Sequence, residues 1–261
     1  MRKVIIAALV IVLITSSMLT CCGDEFKGSG KLNTKEYDFI DFNQVEVNSG
    51  FKFNITRSDS YSIRITADDN LFDYIQVSQE GTVLRILLKP LLKTAWFVDI
   101  TTLAEISMPH IVGVDTYGAT HGTVSGFSST ENLDVRVSGA SSLELVEMSA
   151  GDVNLDVSGA SKVTGDLAAA NMSLIVIGSS TIQLEGSAHD IVVNAYDASR
   201  VKLAAFAVNN ANIKLYGAST GTVNLEGRLD ANLDDASELE YIGEPTIGVI
   251  NTSGGSTVSQ K

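Results

Sequence analysis

Cysteine and histidine are scarce in this sequence of 261 residues, which contains two Cys and three His. Both cysteines, Cys21 and Cys22, lie close to the amino terminus, so the body of the chain has no thiol for a disulfide or a cysteine-based metal site. His121 and His189 occupy different positions of the repeat described below, and we therefore expect them not to share a metal ion. The sequence predicts a body without a metal site or a cofactor.

Basic residues are also few, with 18 Lys and Arg against 31 Asp and Glu and a formal net charge of -13. A chain without a basic surplus cannot displace the counterions of nucleic acid, so we expect no nucleic-acid partner. The sequence also lacks a glycine-rich loop of the kind that opens a helix and holds phosphate. The sequence therefore predicts neither nucleic-acid binding nor a phosphate-binding loop.

Long apolar runs are limited to Val4–Ile14, which follows a short basic start. This run is too short to cross a bilayer comfortably as a mature helix, and its position is typical of a secretory signal peptide. The segment Leu19–Cys22 resembles the bacterial lipobox, in which a peptidase cuts before a cysteine that receives lipid. We predict a signal peptide over residues 1–21 and lipidation at Cys22. Lipidation at Cys21 and an ordinary secretory signal are the alternatives.

A lipidated Cys22 would make residues 22–36 a lipid anchor and tether. The lipobox resemblance implies two or more acyl chains, which is what stable membrane anchoring requires. Removal of Arg2 and Lys3 with the leader leaves 16 basic and 31 acidic residues, so the lipid and not the protein surface would hold the chain on the membrane. We expect an outer-membrane lipoprotein of the cell envelope that faces the periplasm or the cell surface.

A short motif recurs eight times between residues 118 and 256, at intervals of 18 to 21 residues. Each copy has Gly or Asp at an anchor position, then a small residue, then Ser or Thr. The anchors are Gly118, Gly139, Gly159, Gly178, Asp197, Gly217, Asp235 and Gly254. Apolar residues alternate on both sides of the anchor, as in Val135 and Val137 before it and Leu143 and Leu145 after it. This alternation indicates two short strands joined by a corner.

The residue after the anchor, as in Ala119, Ala140 and Ala160, is expected to lie on the inside of a sharp bend, where only a small side chain fits. The following column of Ser and Thr is expected to form a corner ladder, because like residues stacked above one another can chain their hydroxyl hydrogen bonds. The ladder comprises Ser141, Ser161, Ser180, Ser199, Ser219 and Ser237.

A repeat of two strands cannot bury its apolar side alone, whereas stacked coils can. The sequence therefore predicts an all-β protein, a single-stranded right-handed parallel β-helix or β-solenoid, with regular coils of about 19–20 residues over residues 113–261. The alternatives are a propeller, whose blades need about twice this period, and an antiparallel sandwich, which gives no reason for eight Ser or Thr residues in one column.

Residues 37–112 are rich in strand patterns but do not follow the register of the repeat. We interpret them as a divergent, β-rich amino-terminal portion that caps the first coil, because a solenoid ends in an open sheet edge. Within this portion, Trp96–Met108 is interpreted as a degenerate coil. The carboxyl-terminal end is polar, so its edge is either solvated or covered by another copy of the chain in a homo-oligomer.

The order of "ADDNLFDYIQVSQEGTVLRI", residues 67–86, followed by serial "VSGAS" coils behind a lipoprotein leader, resembles the putative auto-transporter adhesin, head GIN domain family of bacterial surface proteins. The resemblance covers about residues 37–255. It implies a β-solenoid and an envelope location, and it supplies no catalytic residues.

Carboxylates are the residues with which a β-helix enzyme would cleave a polysaccharide. Three places before each anchor the column reads Asp115, Arg136, Asp156, Ile175, Asn194, Lys214, Asn232 and Asn251. This alternation of sign neutralises itself in a stack and favours a solvated face. A concave cluster of three or more acidic residues with a basic partner would instead favour a carbohydrate-binding or polysaccharide-degrading protein, and the columns of the repeat do not form one.

Tyr117, Tyr196 and Tyr216 share the column one place before the anchor, and the last two lie in consecutive coils. Exposed aromatic rings can hold a sugar, so the three form a candidate ligand platform, although a stacked pair that shields the sheet is the favoured interpretation. We predict a lipid-anchored, non-catalytic, adhesin-like or scaffolding surface. Its partner would be the membrane through the lipid, and a surface glycan or another envelope protein.

Overall fold

The computed structural model describes residues 25–89 and 96–261. The predicted signal peptide and the predicted lipidation site Cys22 lie outside the described residues. Within the described ranges the chain is all-β, with one short 3-10 helix at Asp69–Leu71, and it winds into a parallel solenoid of about seven turns. None of the helical residues in these ranges belongs to a segment long and apolar enough to cross a membrane.

Nine strands precede the regular repeat: β1 (Glu25–Lys27), β2 (Leu32–Tyr37), β3 (Gln44–Asn48), β4 (Lys52–Arg57), β5 (Ser62–Asp68), β6 (Ile75–Glu80), β7 (Val83–Leu88), β8 (Trp96–Val98) and β9 (Thr102–Met108). The strands of the repeat are β10 (Gly113–Tyr117), β11 (His121–Ser125), β12 (Leu133–Val137), β13 (Ser142–Ala150), β14 (Val153–Val157), β15 (Lys162–Ala169), β16 (Asn171–Val176), β17 (Thr181–Ala195), β18 (Arg200–Leu215), β19 (Thr220–Leu225), β20 (Arg228–Leu233), β21 (Glu238–Ile242), β22 (Thr246–Thr252) and β23 (Thr257–Gln260).

Equivalent residues of successive coils are direct neighbours in parallel sheets. Val135 pairs with Leu155, and Leu155 pairs with Leu174 in the next coil. We call the sheet formed by the strands before the corner face A; it runs through β7, β3, β10, β12, β14, β16, the ends of β17 and β18, β20 and β22. The strands after the corner form face B in the same way. The inward residues of both faces make one continuous apolar core.

The corner after face A is built from two consecutive residues with positive φ. At the third corner these are Gly159 and Ala160, with φ of 67° and 64°. Two such residues in succession are characteristic of a type I′ turn, which favours Gly, Asn and Asp. The backbone hydrogen bonding continues through the corner, because the Ala160 N–H donates to the Gly178 carbonyl at 2.9 Å.

The alanine after the anchor lies on the outside of the corner, so the expectation that it packs inward was wrong. Ala160 is exposed, whereas the following Ser161 is buried. The reason is parity, because Ser161 lies an even number of positions from the inward residues Val157 and Val163, whereas Ala160 lies an odd number away. The alanine column is small because the backbone there has positive φ.

The Ser and Thr column lies in one buried file, but its hydrogen bonds differ from a chain of hydroxyl groups. The Ser180 hydroxyl donates to the Ile177 carbonyl at 2.7 Å and accepts from the Ser161 backbone N–H at 3.2 Å. The Ser141 N–H donates to the Ser161 hydroxyl at 3.2 Å in the same way. Each of these hydroxyls thus ties the corner of one coil to the backbone of the coil before it. All six predicted ladder serines, Ser141, Ser161, Ser180, Ser199, Ser219 and Ser237, are buried.

The amino-terminal portion contains a coil that follows the register of the repeat. Strands β3 and β4 lie against β10 and β11, and the corner between them has positive φ at Ser49 and Gly50. The coil formed by β7 and β9 packs on the other side of β3 and β4. Along the stack, the pair β7 and β9 therefore comes first, then β3 and β4, then β10 and β11, which differs from their order in the sequence.

Antiparallel strands cover the amino-terminal end of the stack. Strand β6 pairs with β7 on face A, and β5 and β2 add to β9 on face B. Residues 25–36, which the sequence placed in the tether, contribute here as β1 and β2. Strand β1 pairs with β8, and the Phe26 ring contacts Tyr74 at a centroid distance of 4.9 Å. Phe26 and Leu32 are isolated apolar residues in a polar segment, so the sequence gave no periodic signal for this packing.

Candidate functional site

The outward side chains of face A form three vertical rows, because its strands pair in register. The first row directly precedes the corners and contains Tyr117, Ser138, Ser158, Ile177, Tyr196 and Tyr216. The second row lies two residues earlier and contains Arg85, Glu46, Asp115, Arg136, Asp156, Ile175, Asn194 and Lys214. The third contains Val83, Gln44, Gly113, Asp134, Asn154, Ser173, Val192 and Asn212.

Tyr196 and Tyr216 are brought together by coil stacking. Their ring centroids are 5.5 Å apart and their planes differ by 8°. Parallel rings this close overlap in an offset stack, so each ring covers part of one face of the other. The Asn232 amide donates to the Tyr216 hydroxyl at 2.7 Å and fixes the second ring. This pair therefore presents ring edges and one hydroxyl to solvent more than open ring faces.

Tyr117 is separate from this pair. It lies four strands from Tyr196 along face A, about 19 Å at the usual strand spacing. Its hydroxyl donates to the Glu46 carboxylate at 3.3 Å. The three tyrosines of the predicted platform thus occupy two sites.

An apolar patch adjoins the stacked tyrosines on one side. Ile175, Ile177 and Val192 expose 38%, 36% and 41% of their surface, which is unusual for residues of this size in a chain whose other large apolar side chains are mostly buried. They lie in adjacent coils beside Tyr196 and Tyr216. We call these five residues the side patch.

A polar cleft lies on face A near the amino-terminal end. It has a volume of about 210 Å³, and we call it the arginine–carboxylate cleft. Its charged side chains come from four adjacent strands: Arg85, Glu46, Asp115, Asp134 and Arg136. The cleft is a depression because Gly113 has no side chain where the third row has Asp134 and Asn154 in the next two coils.

One wall of the cleft is held by a hydrogen-bonded network. The Arg85 guanidinium donates to Glu46 at 2.9 Å and also contacts Glu80. With the bond from Tyr117, the Glu46 carboxylate has two donors. Burial raises the pKa of the Asp115 carboxyl, and the neighbouring Glu46 carboxylate raises it further, while Arg136 acts in the opposite direction. Burial and Glu46 also raise the pKa of the Tyr117 hydroxyl.

The sequence did not indicate this cleft. Asp115 and Arg136 were recognised as a column, but Glu46 and Arg85 come from strands outside the recognised repeat. Their pattern, "QVEVN" and "VLRIL", alternates like that of any half-buried strand. The shared corner at Ser49 and Gly50 is the one signal that could have placed Glu46 below Asp115. The acidic cluster with basic partners, expected to be lacking, is therefore present.

Face B offers less. His121 and Ser142 are neighbours there and form a hydrogen bond of 2.7 Å. Among residues 25–89 and 96–261, no three acidic, histidine or cysteine side chains are arranged to hold a metal ion.

The chain is similar to known proteins over most of its length. The profile of the family described as "Putative auto-transporter adhesin, head GIN domain" matches residues 41–245. A putative adhesin from Parabacteroides merdae ATCC 43184 has a TM-score of 0.82 and 22% identity, with 91% of this chain and 99% of that chain covered. A putative adhesin from Parabacteroides distasonis ATCC 8503 has a TM-score of 0.83 and 22% identity, with 91% and 100% covered.

A third solved structure is described as a putative lipid binding protein from Parabacteroides distasonis ATCC 8503. It has a TM-score of 0.85 and 19% identity, and the match covers 91% of this chain and 100% of that chain. No curated protein matches the chain. At these identities the three structures show a shared fold.

Proposed function

The chain belongs to the family of the putative auto-transporter adhesin, head GIN domain, and from that premise we propose that it is a lipid-anchored adhesin of the cell envelope. Its adhesive contact is the side patch on face A, and its role is non-catalytic. The observation that carries this proposal is the group of three exposed aliphatic residues beside a stacked tyrosine pair, on a face whose other outward positions are mostly polar or charged.

The side patch fits a protein surface better than a sugar. Its apolar part consists of aliphatic and aromatic side chains. Asn194 lies between Tyr196 and Val192 along the chain, and Asn212 and Lys214 lie on the next strand. The patch therefore combines apolar and hydrogen-bonding groups as protein interfaces do. One face of each tyrosine ring is partly covered by the other ring, which reduces the aromatic surface available for stacking on a sugar. We therefore assign the patch to another envelope protein. Aliphatic side chains also supply no acid, base or nucleophile, which supports a non-catalytic contact.

The stacked coils suit such a role mechanically. The strands that carry Ile175, Val192 and Tyr216 are joined by continuous parallel pairing, so the patch residues stay in fixed relative positions. A preorganised surface binds without an entropic cost of ordering. A short rod with a fixed lateral patch therefore presents one contact surface of constant shape.

Changing Val192 to Lys is expected to weaken adhesion at least tenfold, because an ammonium group would replace an apolar side chain of the contact and would be buried there without a partner. The measurement is binding of the mature domain to immobilised outer-membrane fraction of the producing bacterium, before and after protease treatment of that fraction. Asn251→Lys, which places the same side chain at an exposed position of face A three strands away, should bind as the unchanged chain does.

Loss of binding after protease treatment of the fraction, together with selective loss in Val192→Lys, would support a protein partner for the side patch. Equal binding by Val192→Lys and Asn251→Lys would reject the side patch as the contact. Binding that survives protease treatment would assign the contact to a glycan or lipid instead.

The anchor belongs to the same proposal and depends on the lipobox-like segment Leu19–Cys22. Replacing Cys22 with Ser removes the thiol that would be acylated. We expect the protein to move from the membrane fraction to the soluble fraction, measured by immunoblot after ultracentrifugation. Cys21→Ser should leave the protein in the membrane fraction. Membrane partition that is unchanged in Cys22→Ser would refute lipidation at this residue.

A further inference from the structure

We propose that the arginine–carboxylate cleft on face A binds one residue of an uncharged glycan. The cleft is a second site, separate from the side patch. Asp115 and Val192 lie on strands four steps apart along face A, about 19 Å at the usual spacing. The proposal therefore does not rest on the protein contact assigned to the side patch.

The shape of the cleft fits part of an extended ligand. Its volume of about 210 Å³ is smaller than the 300–1,000 Å³ typical of pockets that enclose a whole small molecule. Gly113 forms its floor, and Val83 and Val112 are partly exposed on its lining. A single sugar ring could place its C–H surface on these valines while the rest of the chain continues across the flat face.

The free hydrogen-bonding groups in the cleft match hydroxyl groups. In the described part of the chain, the side chains of Asp115 and Arg136 have neither a hydrogen bond nor an ion pair, although they are neighbours in register. The Asp115 carboxylate is a hydrogen-bond acceptor, and the Arg136 guanidinium is a planar set of donors. A sugar hydroxyl both donates and accepts, so two vicinal hydroxyls can bind a carboxylate and a guanidinium side by side.

The carboxylates of Glu46 and Asp134 in the cleft are already held in place before a ligand binds. Glu46 is held by Arg85 and Tyr117, and Asp134 accepts a hydrogen bond from Asn154 at 2.8 Å. Fixed polar groups lose little entropy when a ligand binds. Burial at Asp115 raises the pKa of its carboxyl, which is consistent with a partly desolvated position that a ligand would cover.

The charge of the cleft selects between classes of glycan. Three carboxylates, Glu46, Asp115 and Asp134, face two guanidinium groups, so the site has a net negative charge. Like charges within such a site repel. Sialylated glycans and uronic acids are therefore expected to bind poorly, and uncharged glycans are expected to bind better.

Gly113 allows a direct test, because a side chain at this position fills the cleft. Its backbone does not have positive φ, and a Cβ there would lie 3.1 Å from the flexible Gln44 side chain, so a substitution is compatible with the fold. Gly113→Asn gives the coil the side chain that Asn154 provides two coils later. Gly113→Ala adds only a methyl group and is the matched control.

The probes are maltotetraose, cellotetraose, chitotetraose, mannotetraose and lactose-based neutral glycans on an array, with sialyllactose and an oligogalacturonate as acidic probes. We expect at least one uncharged probe to bind the unchanged chain, at least tenfold weaker binding by Gly113→Asn and Arg136→Gln, and binding within about twofold for Gly113→Ala. Thermal melting of each variant verifies that it is folded. Val192→Lys should keep its glycan binding, which separates this site from the side patch.

Three results would overturn the proposal. The first is that none of the uncharged probes binds to the array above background. The second is preferential binding of the acidic probes. The third is equal binding by folded Gly113→Asn and Gly113→Ala, which would place the glycan elsewhere on the surface.

Discussion

Replacing Gly165 with alanine is expected to destabilise the solenoid by about 4 kcal/mol and to unfold much of it at moderate temperature. Gly165 has φ of 134°, a conformation that residues with a side chain rarely adopt, and such strain costs about 1–3 kcal/mol. A Cβ at this position would lie 1.8 Å from the Leu145 carbonyl oxygen of the preceding coil. Because that oxygen belongs to the backbone ladder, the clash cannot be relieved by moving a flexible side chain, and overpacking adds about 1–3 kcal/mol.

Gly255→Ala is the matched control. Gly255 also has positive φ, 80°, but no atom lies within 4 Å of the position of its Cβ. The cost there is the backbone strain alone, about 1–2 kcal/mol. Urea unfolding followed by circular dichroism measures both variants. If the two variants lost the same stability, the close approach of the coils at Gly165 would be wrong.

Replacing Ser180 with alanine is expected to cost about 2–3 kcal/mol. The hydroxyl of Ser180 serves two backbone groups, the buried N–H of Ser161 and the carbonyl of Ile177. Removing it leaves both without their partner, and a buried polar group without a partner costs about 1–3 kcal/mol. The change in stability is measured by urea unfolding monitored with circular dichroism.

Ser180→Thr should retain most of the stability, because it keeps the hydroxyl and Thr120 occupies the same place in the first regular coil, where its hydroxyl donates to the Tyr117 carbonyl at 2.7 Å. Ser179→Ala removes a neighbouring hydroxyl that is exposed, and it should change stability by less than about 0.5 kcal/mol. Equal effects of Ser180→Ala and Ser179→Ala would show that the serine file does not join the coils.

The regular part of the fold was predictable because its signal is repeated. Apolar residues such as Val157, Leu174 and Ile182 alternate with polar ones in every coil, and a constant interval between corners is compatible with stacking and with little else. The serine column was recognised for the same reason. The hydrogen-bond partners of these serine hydroxyls were not predicted correctly, because the sequence cannot show whether a hydroxyl contacts another hydroxyl or a backbone N–H.

The amino-terminal coil could not be predicted because its order in space differs from its order in the sequence. Strand β3 lies between β7 and β10, neither of which is next to it in the sequence. The intervals between consecutive segments of the sequence therefore do not reveal its position in the stack. Its corner at Ser49 and Gly50 is followed by Phe51 where the regular corners have Ser or Thr, so the motif of the repeat is incomplete there. Long-range pairing of this kind is decided by packing and not by local pattern.

Of the two candidate sites on face A, one was partly predictable from the sequence and the other was not. The pair Tyr196 and Tyr216 was found because both residues lie in one column of consecutive coils. The arginine–carboxylate cleft was missed because two of its five charged residues, Glu46 and Arg85, come from the portion whose register was not recognised. Gly113 is one exceptional residue in the third row of outward side chains, and a single exception produces no periodic signal in the sequence.

In-register stacking of successive coils determines where the residues of both candidate sites lie, and disulfide formation can test that stacking directly. The pair Asn154→Cys and Ser173→Cys occupies outward positions that are partners in adjacent strands, about 4.8 Å apart, within the range of Cα distances that a disulfide spans. The chain must also carry Cys21→Ser and Cys22→Ser, so that no other thiol is present. We predict an intramolecular disulfide under mild oxidation for this pair and none for Asn154→Cys with Val192→Cys, which lie two coils apart. Failure of the first pair to form a disulfide, or equal formation by the second, would contradict in-register stacking of the coils.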